Sequence, residues 1–429
     1  MKATIHFGWV SMTTMGMALT LMLGCHAGIN REQEASNQIL AHVEALASPT
    51  MEGRETGTAG ELLAATWLDS VFTSMGLIAL GEEGSNQKFQ YKPHPPMQMH
   101  GKGDGAVLGM ALVQEVEGRN VLFGSGSKRL KSSEWGVLAA HYDHLGYGGE
   151  GSLFRGEPRL HAGADDNASG VAAMIELARR FASTETKHPI LWAGFSGEEK
   201  GLWGSNHFCK NPTIGLDSIK YMINLDMIGR MRGDTLAVYG TGTSPEWMSL
   251  LEECNEDSLV LIPSESGVGP SDHTSFYLVD IPVLHFFTGQ HPDYHKPSDT
   301  PDKINVEGIV KVVDFVDRIM RVLDQKSNWP FTPTVDQDKD STPSFKVTLG
   351  VIPDYLFDGV GMRIDGVSEG RPAANARIQR GDVVVSIDTV QVVDMMSYMQ
   401  ALSIFNAGET STVVVQRAGK SVVVDVTWD

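Results

Sequence analysis

The stretch HAGADDNASG, residues 161–170, sets two adjacent carboxylates, Asp165 and Asp166, in a loop of small residues. Directly after it, Val171, Met174, Ile175, Ala178 and Phe181 recur at the spacing of one helix face, and Asn167 stands where an N-cap belongs. Two acids held side by side repel each other, so a fold that keeps them together calls for a cation beside them. Ala, Gly and Ser around them let backbone or substrate approach closely. Read alone, the stretch is equally an acidic solvent loop before a surface helix. The segments on either side decide between the two readings.

Four apolar runs of strand length flank this loop, and each ends in chemistry. Residues 136–140 end in His141, Tyr142, Asp143 and His144; residues 190–195 end in Ser196, Gly197, Glu198 and Glu199. Residues 221–225 end in Asp226, and residues 281–287 lead into a polar loop holding Tyr294 and His295. Helical spacing fills the gaps at 171–181, 201–208, 247–257 and 306–323. Strands alternating with helices predict an α/β fold with a mostly parallel central sheet and helices on both faces. Such sheets bind ligands at the carboxyl ends of their strands, where these acids and histidines fall.

A chain of 429 residues is comfortable for two domains. Lys2, an apolar run over 10–23 and a closing Gly24-Cys25 pair read as an export signal, too short for a membrane span. The ending resembles a bacterial lipobox with Cys25 as the lipidated residue, so a signal over 1–25 and a membrane anchor through Cys25 are expected. His26, in place of an Asp, points to an outer-membrane address in a Gram-negative cell. Residues 26–36 read as a tether and 37–325 as the main domain, in which 48–60 is expected to be a surface loop and 81–105 an excursion. Helices are expected at 37–46 and 61–75, strands at 106–113 and 120–123. The Pro-, Thr- and Asp-rich residues 326–345 read as a linker. Residues 346–429 read as a small β-rich unit with a helix over 395–404 and a hairpin turning at Ala418-Gly419. A formal net charge of −19 argues against nucleic acid as a partner. Cys209 and Cys254 suit one disulfide in an oxidising compartment, although spacing does not show that they meet.

The metal-capable residues are His141, Asp143, Asp165, Asp166, Glu198, Glu199, Asp226 and His295. In an extended strand end, positions two apart face one way, so His141 can bind metal while Asp143 fixes its imidazole. Two histidines with several carboxylates suit zinc and are too nitrogen-rich for a calcium cage. Two zinc ions about 3.5–4 Å apart need a bridging carboxylate, for which Asp165 is the choice here. Neighbours such as Glu198 and Glu199 diverge, so one can bind metal while the other faces substrate as a general base. His144, His161, His207 and His285 read as core, loop or supporting residues.

In order, the motifs MEGRETGTAGELLAATWL, AHYDHLG, GADDNASG, FSGEEKGLWGS, INLDMIG, SDHTSF and YHKPSDT resemble the co-catalytic zinc aminopeptidase family, which also holds glutamate carboxypeptidases and glutaminyl cyclases. The resemblance covers about residues 37–325. It implies that His141 and Asp226 hold one zinc, that Glu199 and His295 hold the other, and that Asp165 bridges, with a cis peptide to Asp166. Glu198 would be the base that deprotonates the bridging water and later protonates the leaving amine. Tyr294 would stabilise the oxyanion, and Asp272 and His273 would support the site. The activity implied is removal of N-terminal residues from peptides by a metal-bridging hydroxide. A glutaminyl cyclase-like acyltransfer and a catalytically silent binding protein are the alternatives. From Leu349 onward, and most clearly at RPAANARIQRGDVVVSIDTVQV, the chain resembles a bacterial PDZ domain, with Arg377 where that pattern has Gly. This implies a peptide C-terminus as partner.

Overall fold

The computed structural model describes residues 33–91, 97–100, 107–110, 115–125, 134–149, 151–154, 156–326, 329–334, 347–353, 357, 359–367, 370–393 and 395–428. The expected signal segment and Cys25 lie outside the described residues. Among those described, no helix is long and apolar enough to cross a membrane.

Helix α1 runs over 33–46, beginning inside the expected tether. A tight turn over Pro49–Arg54 leads to α2 (Ala59–Ser74), whose N-cap Thr58 accepts from Glu61 N–H. Strands β1 (Ile78–Ala79), β2 (Asn86–Tyr91), β3 (Met97–His100), β4 (Val107–Met110) and β5 (Val116–Ser125) follow. The regular alternation is then β6 (Trp135–His141), α3 (Gly170–Ala182), β7 (Ile190–Phe195), α4 (Trp203–Lys210) and β8 (Ile219–Leu225). The main domain closes with β9 (Thr235–Tyr239), α5 (Trp247–Cys254), β10 (Val260–Ser264), α6 (His273–Tyr277), β11 (Val283–Phe287) and α7 (Val306–Leu323).

The central sheet has the order β1-β5-β7-β6-β8-β11-β9-β10, with β2 also on β5. Its middle, β7-β6-β8-β11, is parallel, while β1, β2 and β5 on one side, and β9 against β11 on the other, run antiparallel. The parallel character expected from the sequence therefore belongs to the middle of a mixed sheet. β6 and β7 are buried at every position, as strands covered on both faces must be. Along β6, Leu138 and Ala140 join the core formed with α1, α2, α3 and α7. Val137 and Ala139 join the opposite core, with Phe208 of α4 and Phe276 of α6. This is the period of two of a strand sandwiched between helical layers.

Strand β2 falls inside the segment expected to be an excursion loop. Only Phe89 and Tyr91 carry its apolar alternation, because the third inward residue is the fully buried Gln87, which donates to Asn211 O at 2.6 Å. The expected linker also begins later than residue 326. Trp329 is buried and stacks on Trp247 at 5.1 Å, and Thr334 N–H donates to Tyr277 Oη.

Residues beyond 346 build their own core around Leu349, Ile364, Val384, Ile387, Val413 and Val415. Its elements are β12 (Val351–Pro353), β13 (Met362–Val367), α8 (Pro372–Asn375), β14 (Val383–Ile387), β15 (Val390–Gln391), α9 (Met395–Ile404), β16 (Thr410–Arg417) and β17 (Lys420–Thr427). The hairpin turns through Ala418 and Gly419, at φ 48° and 76°. Both lie in the left-handed region that a two-residue hairpin turn requires. Arg377 adopts φ 61°, which explains why glycine suits that position. Cys209 and Cys254 are free and buried, one in each core layer, so the expected disulfide does not form.

Candidate metal centre

Strands β7 and β8 lie on either side of β6, so the chain crosses over β6 between them. That reversal opens a crevice at the carboxyl ends of the strands. His141 ends β6, Glu198 and Glu199 follow β7, Asp226 follows β8, and His295 lies in the loop after β11. Four segments distant in sequence thus deliver donors to one point.

Asp166 stands at the centre. Its Oδ1 is 3.4 Å from His141 Nε2 and its Oδ2 is 3.2 Å from His295 Nε2. His141 Nε2 is also 3.3 Å from Asp226 Oδ1, and His295 Nε2 is 3.1 Å from Glu199 Oε2. The carboxylate reaching both histidines is therefore Asp166, and the expectation that Asp165 bridges is corrected. Asp165 turns the other way: its Oδ1 accepts from Gly229 N–H at 2.6 Å and Ser169 Oγ at 2.9 Å. Its Oδ2 lies 3.2 Å from His291 Nε2. The cis peptide bond likewise falls one residue later than expected, between Asp166 and Asn167. Asn167 holds the turn on both sides. Its Oδ1 accepts from Gly170 N–H at 3.0 Å, the capping bond expected for α3, and its Nδ2 donates to Leu225 O at 2.9 Å.

The donor set suits two cations. His141, Glu198 and Asp226 offer atoms within 4.8 Å of one another, as do His144, Asp166 and Glu199. Both histidines facing Asp166 turn Nε2 inward, with Nδ1 anchored outside. His295 Nδ1–H donates to Gly151 O at 2.8 Å, while His141 Nδ1 lies 3.3 Å from Asp143 O and 3.6 Å from its Oδ1. This is the arrangement in which Nε2 keeps a lone pair for a metal. Asp143 further accepts from Glu198 N–H at 3.2 Å and from the Thr56 hydroxyl at 3.0 Å. Tyr294 lays its ring on that of His295, with centroids 3.8 Å apart. Asp272 is fully buried.

The electrostatics favour positive charge at the centre. Burial opposes a charged imidazole at His141, but Glu198 and Asp226 outweigh it and raise its pKa well above the usual value. At His295 burial is likewise outweighed, by Glu199 and Asp166. Burial would raise Asp166, yet its bonds to His141 and His295 hold it well below the carboxylate range. Against the same penalty of burial, His295 brings Glu199 to about 2. Glu198 goes the other way, pushed well up by burial and then by Asp226 and Glu199. The two adjacent glutamates thus differ, Glu199 favouring the charged form and Glu198 holding its proton. Burial also pushes Asp272 up to about 7.

Several participants carry no signal of their own in the sequence. His144, expected to be a supporting residue, donates from Nδ1 to Glu199 Oε1 at 2.7 Å and leaves Oε2 facing His295. Asp299 Oδ2 accepts from the N–H groups of both Asp165 (2.9 Å) and Asp166 (3.2 Å), and only its place in the YHKPSDT motif hinted at this. Arg54 and Thr56 lie in the stretch expected to be a surface loop, yet both are buried. Of the other histidines, His285 stacks on His273 at 4.4 Å, and His161 donates to or accepts from Ser152 Oγ at 2.8 Å.

Residues 122–320 match peptidase family M28, and residues 334–427 match the PDZ domain. Over residues 122–320 the main domain is thus a peptidase family M28 domain, and a PDZ domain follows it. It is 28% identical over 203 residues to aminopeptidase YwaD of Bacillus subtilis, a match covering 44% of this chain and 41% of that protein. The chain therefore spans less than half the length of that relative. Two solved structures share the fold: an aminopeptidase from Aneurinibacillus sp. strain AM-1 and the glutaminyl cyclase of Porphyromonas gingivalis. The first has a TM-score of 0.54 at 19% identity, covering 70% of this chain and 95% of the other. The second has a TM-score of 0.54 at 18% identity, covering 67% and 98%.

Proposed function

We propose that this chain is a dizinc aminopeptidase that removes N-terminal residues from peptides. The observation that carries the reading is Asp166 set between His141 and His295, each backed by a further carboxylate. In this reading His141 and Asp226 hold one zinc, His295 and Glu199 the other, and Asp166 both. Zinc ions so held supply Lewis-acid polarisation of a carbonyl and lower the pKa of water.

The remaining work falls to side chains. Glu198, whose carboxyl burial and neighbouring acids make unusually basic, takes the proton from the attacking water and returns it to the leaving amine. Asp143 fixes Glu198 through its backbone N–H and steadies the His141 ring. Tyr294, stacked on His295, is the candidate hydroxyl for the developing oxyanion. Acids dominate the centre, and Arg54, the buried guanidinium beside it, is committed to backbone carbonyls. Among the described residues, Lys200 beside Glu199 is likewise committed, to Glu55 at 3.0 Å, so neither cation is left to hold a substrate carboxylate, which supports aminopeptidase over carboxypeptidase action.

The test is hydrolysis of a panel of aminoacyl-nitroanilides, with zinc content measured on the same sample. Two zinc ions per chain and chelator-sensitive cleavage are expected. One zinc with cyclisation of an N-terminal glutamine peptide would transfer the site to acyltransfer chemistry. No metal and no turnover would leave a binding protein working through its PDZ domain. We further propose export and membrane anchoring by a lipid on Cys25, and capture of a peptide C-terminus by the PDZ domain. Incorporation of labelled palmitate that persists in Cys25→Ser would refute the anchor, and failure to enrich any C-terminal peptide from a library would refute the capture.

A further inference from the structure

Arg54 is fully buried, yet none of its hydrogen bonds goes to a carboxylate. Its Nε donates to Tyr142 O at 2.7 Å, Nη1 to Leu46 O at 2.6 Å and Ala162 O at 2.9 Å, and Nη2 to Gly163 O at 2.9 Å. These carbonyls come from three separate segments: the end of α1, the residue after His141, and the approach to Asp166. The backbone beside it is woven into the same place. Arg54 O accepts from His144 N–H at 3.2 Å and Gly53 O from Gly146 N–H at 3.0 Å. A Cβ on Gly53 would stand 2.5 Å from Gly146 O and 2.6 Å from His161 O, so only glycine lets the segment in this close. Arg54 itself adopts φ 52°, a left-handed conformation that strains a non-glycine residue.

We infer that Arg54 is a positioning residue that sets the spacing between His141 and Asp166, and so between the two halves of the metal centre. His141 immediately precedes one carbonyl that Arg54 holds, and Asp166 lies three residues beyond another. The planar, fixed fork of a guanidinium makes these bonds at defined angles, which a lysine ammonium on a flexible stem does not reproduce. The charge also has a purpose. Burial lowers Arg54 only to about 10, with Asp166 and Asp143 opposing the fall, so it stays cationic at neutral pH. Its charge lies near enough to Asp166, Asp143, Asp299 and Glu199 to interact with each, while its hydrogen bonds all go to carbonyls. The inference rests on the two-metal reading above.

The experiment compares the full-length wild type with Arg54→Lys and Arg54→Met, plus Ile319→Val as a control. Ile319 is fully buried in α7, far in sequence from every donor, and its shortening lowers stability without touching the centre. Zinc affinity is measured by competition with a chromophoric chelator, and backbone amide exchange on the chelator-treated proteins. Both Arg54 variants are expected to bind zinc about 10–100-fold more weakly. Their amides over 143–145 and 164–169 should exchange about tenfold faster or more, while α7 stays protected. Ile319→Val should keep wild-type zinc affinity. Zinc affinity and loop exchange unchanged in Arg54→Lys, with only the melting temperature lowered, would overturn the inference. If Arg54→Met does not fold, Arg54→Lys decides alone. If the wild type itself binds no zinc, the two-metal reading fails, and the exchange pattern still decides whether Arg54 positions the loops.

Discussion

Replacing each of the adjacent aspartates in turn separates two jobs that the sequence presents as one. Asp165→Asn keeps the shape of a side chain that accepts from Gly229 N–H at 2.6 Å and Ser169 Oγ at 2.9 Å, but removes its charge. Hydrogen bonds to a charged acceptor exceed neutral ones by about 1 kcal/mol each, so the two bonds together weaken by about 2 kcal/mol. For a domain of this size that lowers the melting temperature by roughly 4–8 °C. Zinc binding should survive, because Asp165 faces Gly229 and His291 and not the His141–His295 pair. Asp166→Asn should cost the metal. Asp166 is the carboxylate that contacts both histidines among the described residues, so its loss should weaken zinc by more than the roughly 10–100-fold typical of residues one shell further out. The metal-free melting temperature should fall as well, because Asp166 gives up charged bonds to His141 and His295 that hold its carboxyl well below the usual range. Zinc stoichiometry after dialysis against a weak chelator, and thermal melts with and without added zinc, read both effects. Asp165→Asn losing zinc while Asp166→Asn retains it would refute the geometry argued here.

Other expectations are independent of that pair. Glu198→Gln should retain zinc and lose turnover by about 10²–10⁴-fold or more; activity within tenfold of wild type removes Glu198 from the base role. Arg377→Gly should stabilise the PDZ domain by about 1 kcal/mol, because it relieves φ 61° and leaves Arg377 O to accept from Arg417 Nη2 at 2.9 Å; a lower melting temperature counts against this. Glu176 is held below the usual carboxylate range because bonds to Arg179 and Arg180 outweigh its burial. Its pKa is depressed on folding, so its contribution is present above about pH 4.5, the unfolded value, and fades as pH falls through the folded one. Melting curves of wild type and Glu176→Gln should therefore converge in acid, and a gap that widens there contradicts the assignment. Cys209 and Cys254 lie in opposite core layers, so a thiol reagent should label both only after denaturation, and dithiothreitol should leave the melting temperature unmoved.

Much of the architecture was legible because the four central strands are mostly apolar and each leads into a polar cluster. The motif order then placed His141, Glu198, Glu199, Asp226 and His295 at strand ends, and the structure brings them together there. What stayed hidden is polarity turned inward. Gln87 interrupts the alternation of β2 because it satisfies Asn211 O across the sheet. Arg54, in a Gly- and Thr-rich stretch, has the composition of a solvent loop, and nothing local reveals that its partners lie 88 and 109 residues away. Side chains that bond to backbone leave no complementary residue type in the sequence to betray them.

The exchange of roles between Asp165 and Asp166 has the same origin. Adjacent residues point apart, so one of two neighbouring acids can enter a metal centre while the other must find protein partners. Which one enters is set by the turn, and the turn is set from outside. Asp299 takes both backbone N–H groups, Arg54 holds Gly163 O, and Asn167 ties the far side to Leu225 O. Once these anchors fix the loop, Asp165 meets Gly229 N–H and Ser169, and Asp166 is left facing His141 and His295. The sequence Ala-Asp-Asp-Asn is compatible with either outcome. The choice belongs to Asp299 and Arg54, which stand more than 100 residues away on one side and on the other. Disturbing either anchor should therefore weaken metal binding without altering a single ligand.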